Sequence, residues 1–149
     1  MKQRIYLDTS VLSALDDTRA PDRQQLTREF FDRIHDFDAA VSTLTRDEIN
    51  QTQDASRREQ ILLLLDELRL LEVTDEARAI AKAYLDASIF PPSVPEDALH
   101  VAIAVAHRQD AVVSWNFKHL VNQRRRAAVQ AINASLSLPS IAIIAPPEL

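Results

Sequence analysis

At 149 residues, with 46% hydrophobic and 26% charged side chains, the chain can bury one continuous core, and residues 1–149 read as a single domain. It has no glycine and no cysteine, which excludes glycine-built phosphate loops, disulfides and thiolate metal sites. The net charge of −5 repels polyanions overall, so contact with nucleic acid needs a local basic surface or a cation held by the acids.

No run approaches the ~18 apolar residues of a membrane span, and the start lacks the layout of a secretory signal. With no cysteine, this fits a cytoplasmic protein. In chain order, residues 4–7 read as a β-branched and aromatic strand, after which Val11, Leu12 and Leu15 begin a short helix. Pro21 opens a second helix, in which Leu26, Phe30 and Ile34 recur at four-residue steps. Residues 39–42 form a second strand, and Thr43 or Thr45 caps a helix carrying Asp47, Glu48 and Ile49. Ser56 starts a long helix through Ile61, Leu65 and Leu68, apolar enough to be substantially buried. Residues 70–73 form a third strand, and Thr74 caps a helix over 75–88 with acids at its positive end. The proline-rich loop 90–95 precedes an almost wholly apolar helix, 96–107. A fourth strand over 111–114, a helix over 123–136 and a last strand over 141–144 complete the chain.

Strands alternating with helices predict a mainly parallel sheet of about five strands covered on both faces. In such sheets, sites form beyond the carboxyl ends of the strands. Asp8 ends the first strand, Glu48 follows the second, Asp97 opens the apolar helix, and Ser114 and Asn116 end the fourth strand. Converging carboxylates repel unless a cation lies between them, and oxygen ligands favour Mg²⁺ or Mn²⁺.

Each residue also has a purely structural reading. Asp8 can be a helix N-cap, Glu48 a solvated helix residue, Asp97 a dipole partner and Asn116 a turn former. His100, one turn after Asp97, reads as a packed and hydrogen-bonded histidine rather than a ligand. The histidines have no zinc spacing, and a Ser10-based hydrolase lacks a nucleophile elbow. Lys118-His119 and Arg124-Arg125-Arg126 form a basic stretch, either a solvated helix start or a phosphate-binding rim. Trp115 and Phe117, which alternate after a strand, read more readily as core than as base-stacking residues.

Leu7-Asp8-Thr9-Ser10-Val11-Leu12, Glu48, Pro95-Glu96-Asp97-Ala98-Leu99-His100-Val101-Ala102 and Ser114-Trp115-Asn116-Phe117-Lys118-His119-Leu120 together resemble a PIN-domain protein, nearest to the VapC-like toxin ribonucleases. The resemblance spans essentially the whole chain. It implies a three-layer α/β/α domain and metal-dependent endoribonuclease activity, with Asp8, Glu48 and Asp97 matching the acids that bind Mg²⁺ or Mn²⁺. Ser10 matches the hydroxyl supporting the first acid, with Ser114 a second support. Asn116 stands where many members carry Asp, so the site has three formal negative charges instead of four. Lys118, Arg124 and Arg125 are the candidate contacts to RNA phosphates. The resemblance also implies a homodimer neutralised by a small antitoxin. Two other readings stand beside it: a PIN-like module that binds RNA or protein without cutting, and an acidic interaction domain whose edge carboxylates are helix caps.

Overall fold

A computed structural model describes residues 1–149. Its five strands are β1 (Arg4–Leu7), β2 (Asp38–Ser42), β3 (Arg69–Leu71), β4 (Ala111–Val113) and β5 (Ala142–Ile144), ordered β3-β2-β1-β4-β5. Every neighbouring pair is parallel. Parallel neighbours require crossover connections, and helices supply them: α1 (Thr9–Ser13), α2 (Pro21–Asp32), α3 (Thr43–Asn50), α4 (Ala55–Leu65), α5 (Asp75–Asp86), α6 (Pro95–Ala106) and α7 (Gln123–Ser135).

Right-handed crossovers in this strand order put α1 to α4 on one face of the sheet and α5 to α7 on the other. The contacts follow that division. α3 packs on α4 and on α1, while α5 packs on α6, and the buried Tyr84 hydroxyl of α5 donates to Asn133 Oδ1 of α7 at 2.6 Å. The result is the expected three-layer α/β/α sandwich. Both faces being covered explains why Ile5, Tyr6 and Leu7 are all fully buried, as are Ala111 to Val113, with no polar alternation. α6 is apolar on nearly every side for the same reason, and Val101 to Val105 lie inside the core.

Local details depart from the sequence reading where several residues compete for one role. Ser42 caps α3, accepting from Thr45 N–H at 3.2 Å, because its backbone is still extended there; neither Thr43 nor Thr45 is the cap. Asp54, not Ser56, caps α4 through Arg57 N–H at 3.1 Å. α4 is only half buried: Ile61 and Leu65 face inward, whereas Leu63 is 68% exposed. α2 ends at Asp32, so Ile34 falls in a following 3₁₀ turn; Thr27 and Phe30 form its buried stripe, and Leu26 is exposed. β3 begins one residue early and ends at Leu71, and Ser114 lies just past β4. Thr74 caps α5 as expected.

Without glycine, three helices end on left-handed residues that carry side chains: Ser88 (φ 57°), Arg108 (φ 58°) and Ser137 (φ 57°). Each closes a Schellman-type turn. The N–H of Ile89, Gln109 and Leu138 reaches back to the carbonyls of Tyr84, Ala104 and Asn133, respectively.

The connection from β1 runs outward to β2, whereas β4 lies on the opposite side of β1. The strand order therefore reverses between β1 and β4, and a crevice opens beyond their carboxyl ends.

Candidate active site

Asp8 is the first residue beyond β1, and its N–H still donates to Val113 O of β4 at 3.2 Å. The backbone then turns into α1, with Asp8 as the N-cap: Oδ1 accepts from Ser10 N–H at 3.1 Å. The cap reading is correct for this residue, and the cap lies at the carboxyl edge of the sheet. Two hydroxyls complete its environment. Ser10 Oγ donates to Oδ1 at 2.5 Å and Ser114 Oγ donates to Oδ2 at 2.6 Å. Each hydroxyl also accepts a backbone N–H from the loop after β4, Trp115 N–H to Ser10 and Asn116 N–H to Ser114, both at 2.9 Å. A hydroxyl whose lone pair is taken by an N–H has its own proton free for the carboxylate. The loop thus fixes the direction of both hydroxyls, and through them the Asp8 carboxylate.

Asp8 is 4% exposed. Burial raises its pKa above the ordinary 3.8, against the opposing influence of His100 and of the Ser10 and Ser114 hydrogen bonds. Asp97, in the first turn of α6, is also raised: burial is the main cause, and the charge of Asp8 adds to it, while His119, His100 and the Asn116 amide work the other way. Asn116 Nδ2 donates to Asp97 Oδ2 at 3.3 Å, and Asn116 Oδ1 accepts His119 N–H at 2.9 Å. Both ends of the Asn116 amide are therefore committed, one to an acid and one to the turn that the sequence suggested.

Glu48, on α3, is held differently. Its Oε1 meets His100 Nε2 at 2.6 Å and accepts from Thr9 Oγ1 at 3.0 Å. His100 Nδ1 lies 2.6 Å from the Tyr6 hydroxyl, which also meets Ser42 Oγ at 2.7 Å. Burial raises the Tyr6 phenol far above its usual range, so it remains a proton donor. Both ring nitrogens of His100 are thereby engaged, Nδ1 by Tyr6 and Nε2 by Glu48. Burial alone would raise Glu48, but the His100 hydrogen bond and charge, helped by Thr9, bring it below 4.5. His100 is thus the packed, bonded histidine expected, and it also orients an acid of the site.

Asp8, Glu48, Asp97, Asn116, Ser10 and Ser114 come together at one crevice. No three acidic or histidine side chains are gathered tightly enough to ligate one ion as they stand. The donor set nonetheless fits a divalent cation. It is all oxygen, and Asp8, buried, and Asp97, partly buried, both raised chiefly by desolvation, carry no cationic ion-pair partner. Asp8 and Asp97 are the better fit, because Glu48 is partly occupied by His100.

Lys118, Arg124 and Arg125 do not touch the acids directly. They line an adjoining groove of about 730 Å³, with Arg125 near enough to Asp97 for that carboxylate to support its charge. Sequence reasoning missed Tyr6, Thr9 and His119. Tyr6 lies two residues before Asp8, so strand alternation put it on the same face; Thr9 sits inside the quoted motif. His119 signalled by its place in the basic stretch and in the segment Ser114 to Leu120 that carries the resemblance. Trp115 is core as expected, donating to Thr27 Oγ1 at 2.9 Å, but Phe117 is 47% exposed.

No helix is long and apolar enough to cross a membrane. No curated protein matches the chain. Among solved structures, the DNA-bound VapBC of Salmonella typhimurium is similar at 16% identity and TM-score 0.61, over 97% of this chain and 98% of that one. A toxin–antitoxin complex from Klebsiella pneumoniae is similar at 15% identity and TM-score 0.61, covering 81% and 93%. VapBC2 of Rickettsia felis, bound to a DNA fragment from its promoter, is similar at 12% identity and TM-score 0.59, covering 95% and 98%. At these identities the likeness is one of fold. The PIN domain family profile matches residues 5–118, from β1 through the loop that carries Asn116, and the chain belongs to that family.

Proposed function

We propose that the chain is a metal-dependent endoribonuclease acting on RNA phosphodiesters, and the toxin of a type II toxin–antitoxin pair. The observation that carries the nuclease reading is the placement of two acids without an ion-pair partner, Asp8 buried and Asp97 partly buried, at the sheet's switch point. Asp8 and Asp97 would hold Mg²⁺ or Mn²⁺, with Glu48 as the third acid. Such an ion polarises a phosphate oxygen and lowers the pKa of bound water.

The chain's own residues provide the rest. Ser10 and Ser114 hold Asp8 in one rotamer, and Asn116 does the same for Asp97. His100, anchored by Tyr6, fixes Glu48 and keeps its carboxylate ionised as a proton acceptor. Lys118, Arg124 and Arg125 offset phosphate charge beside the acids. The toxin part of the reading is supported by three similar folds, each solved as a toxin–antitoxin or VapBC complex. A small antitoxin partner, a homodimer and a cytoplasmic location follow from it.

The test is cleavage of single-stranded RNA in Mg²⁺ or Mn²⁺, with EDTA and Asp8→Asn as controls. Cleavage that survives either control ends the mechanism. A second reading, binding without cutting, is favoured by one observation: the fourth position is a neutral amide whose nitrogen donates to Asp97 and whose oxygen already accepts from His119 N–H, so it adds no carboxylate to the site. Calorimetry with Mn²⁺ separates the two, because a pure binding module need not take up the ion.

A further inference from the structure

The groove beside the acids differs in composition from the two other large clefts, both of which carry carboxylates. Its rim carries Lys118, Arg124 and Arg125 and no carboxylate, although the chain as a whole is at −5. None of the three forms an ion pair, whereas the adjacent Arg126 is paired to Glu148 at 3.3 Å. Arg125 lies over the buried Phe90 ring at 4.6 Å, and burial and the charge of Arg124 both work against its own charge. Concentrated positive charge with no ion-paired carboxylate, and only Asp97 acting on Arg125 from beside the groove, favours an anionic occupant.

The aromatic partner sharpens the class. Phe117 lines the same groove and is nearly half exposed, while its neighbour Trp115 is buried. Trp115 meets it edge-on at 6.1 Å, and Arg23 lies 5.7 Å from its centroid. The ring is thus propped in place and still open to solvent. The opposite wall is the loop from Ser88 to Pro92, stiffened by two prolines and a left-handed Ser88. An exposed ring among unpaired cations offers stacking for a base and charge for its phosphates, the pairing seen in single-strand channels. An acidic peptide would satisfy the cations and leave the ring without a partner.

We infer that this groove binds unpaired nucleotides flanking the scissile phosphate, one base stacking on Phe117 and the adjoining phosphates lying along Lys118, Arg124 and Arg125. The inference deepens the nuclease reading by making the preferred substrate single-stranded on this side of the cut. A paired base has no free face for Phe117, so duplex RNA would keep only the phosphate contacts.

The experiment is fluorescence anisotropy on the full chain in EDTA, so that nothing is cut. The probes are a short labelled oligouridine, the same length of abasic strand, and an RNA duplex, with poly-glutamate as competitor. Phe117→Leu is expected to weaken oligouridine binding about tenfold while leaving the abasic strand within twofold. Arg124→Gln is expected to weaken both strands and to lower the salt slope by about 0.7. Circular dichroism melting of each variant excludes loss of fold. The inference is overturned if Phe117→Leu weakens both strands equally or neither, if duplex binds as tightly as oligouridine, or if poly-glutamate binding shows the same Phe117 dependence. The two readings fail separately. Wild-type binding with these signatures but no metal-dependent cleavage would end the nuclease proposal alone. Cleavage by wild type, with Phe117→Leu binding unchanged, would end the groove proposal alone.

Discussion

The two ends of the sheet are built from similar side chains and arranged oppositely. At the amino ends of β1, β2 and β3 lies a cleft of about 670 Å³ walled by Phe31, Ile34, Phe37 and Leu68. Its charges are of both signs and two of them are paired: Arg69 meets Asp38 at 2.6 Å and also reaches Gln109, while Arg4 donates to His107 O. At the carboxyl ends the signs are separated. Asp8 and Asp97 form no ion pair, and three cations line a groove that has no acid in its wall. Segregated like charges oppose folding until something of the other sign arrives, whereas paired charges ask for nothing. That difference, rather than the size of either cavity, is the ground for proposing the carboxyl end as the working end.

The sharpest way to break the comparison is to neutralise one acid at each end. Asp8→Asn is expected to lower the initial rate of RNA cleavage by about a hundredfold or more, and Asp97→Asn similarly, since each removes a ligand for the ion. Asp38→Asn should leave the rate within twofold. Equal losses at both ends would remove the distinction.

Metal binding gives the next largest effect. An ion bound only by the folded chain stabilises it by about 2.7 kcal/mol at a hundredfold excess over Kd, worth roughly 5–10 °C for a chain of this size. Thermal scans with Mn²⁺ should show that rise in the wild type and in Asp38→Asn, and lose it in Asp8→Asn. A rise that persists in Asp8→Asn would place the ion elsewhere.

The pH dependence of the metal-free chain follows from the same acids. Asp8 and Asp97 hold protons more tightly when folded than the ordinary value of 3.8, so the folded state binds more protons than the unfolded one. Their contribution is fully present below 3.8 and is lost as pH rises through the raised folded values. Glu48 runs the other way, adding stability above 4.5 that is lost as pH falls through its lowered folded value. Denaturant midpoints from about pH 4 to pH 8 should therefore fall with pH beyond the Glu48 range in EDTA, and flatten in Asp8→Asn. A midpoint that climbs throughout would contradict the raised acids.

Much of this was legible in the sequence because local chemistry and fold agreed. Thr74 followed by Asp75 and Glu76 left one candidate cap, and the strand-ending Asp8 with Ser10 left one candidate edge. Where Ser42, Thr43 and Thr45 all could cap, the choice rested on where β2 stops pairing with β3, a tertiary fact. The run Ile61 to Leu65 hid its exposed side, because five consecutive apolar residues have no periodicity to read. The link from Tyr6 through His100 to Glu48 joins residues up to 94 positions apart and exists only once β1, α3 and α6 meet. Phe117 looked like core by alternation, yet the strand had already ended at Val113, so the alternation no longer applied.

The smallest expected effect tests the amino end by itself. Asp38 and Arg69 are each about two-fifths exposed, so their pairing is largely solvated and screened. A double-mutant cycle with Asp38→Asn and Arg69→Gln should return a coupling of about 0.5 kcal/mol at low salt, shrinking as the ionic strength is raised. The Arg69→Gln arm also removes the contact with Gln109, but the cycle subtracts that loss because Asp38 takes no part in it. A coupling above about 2 kcal/mol that ignores salt would be the behaviour of a desolvated pair. The amino end would then hold electrostatic constraint comparable with the acid crevice, and segregation of charge would no longer single out the carboxyl end.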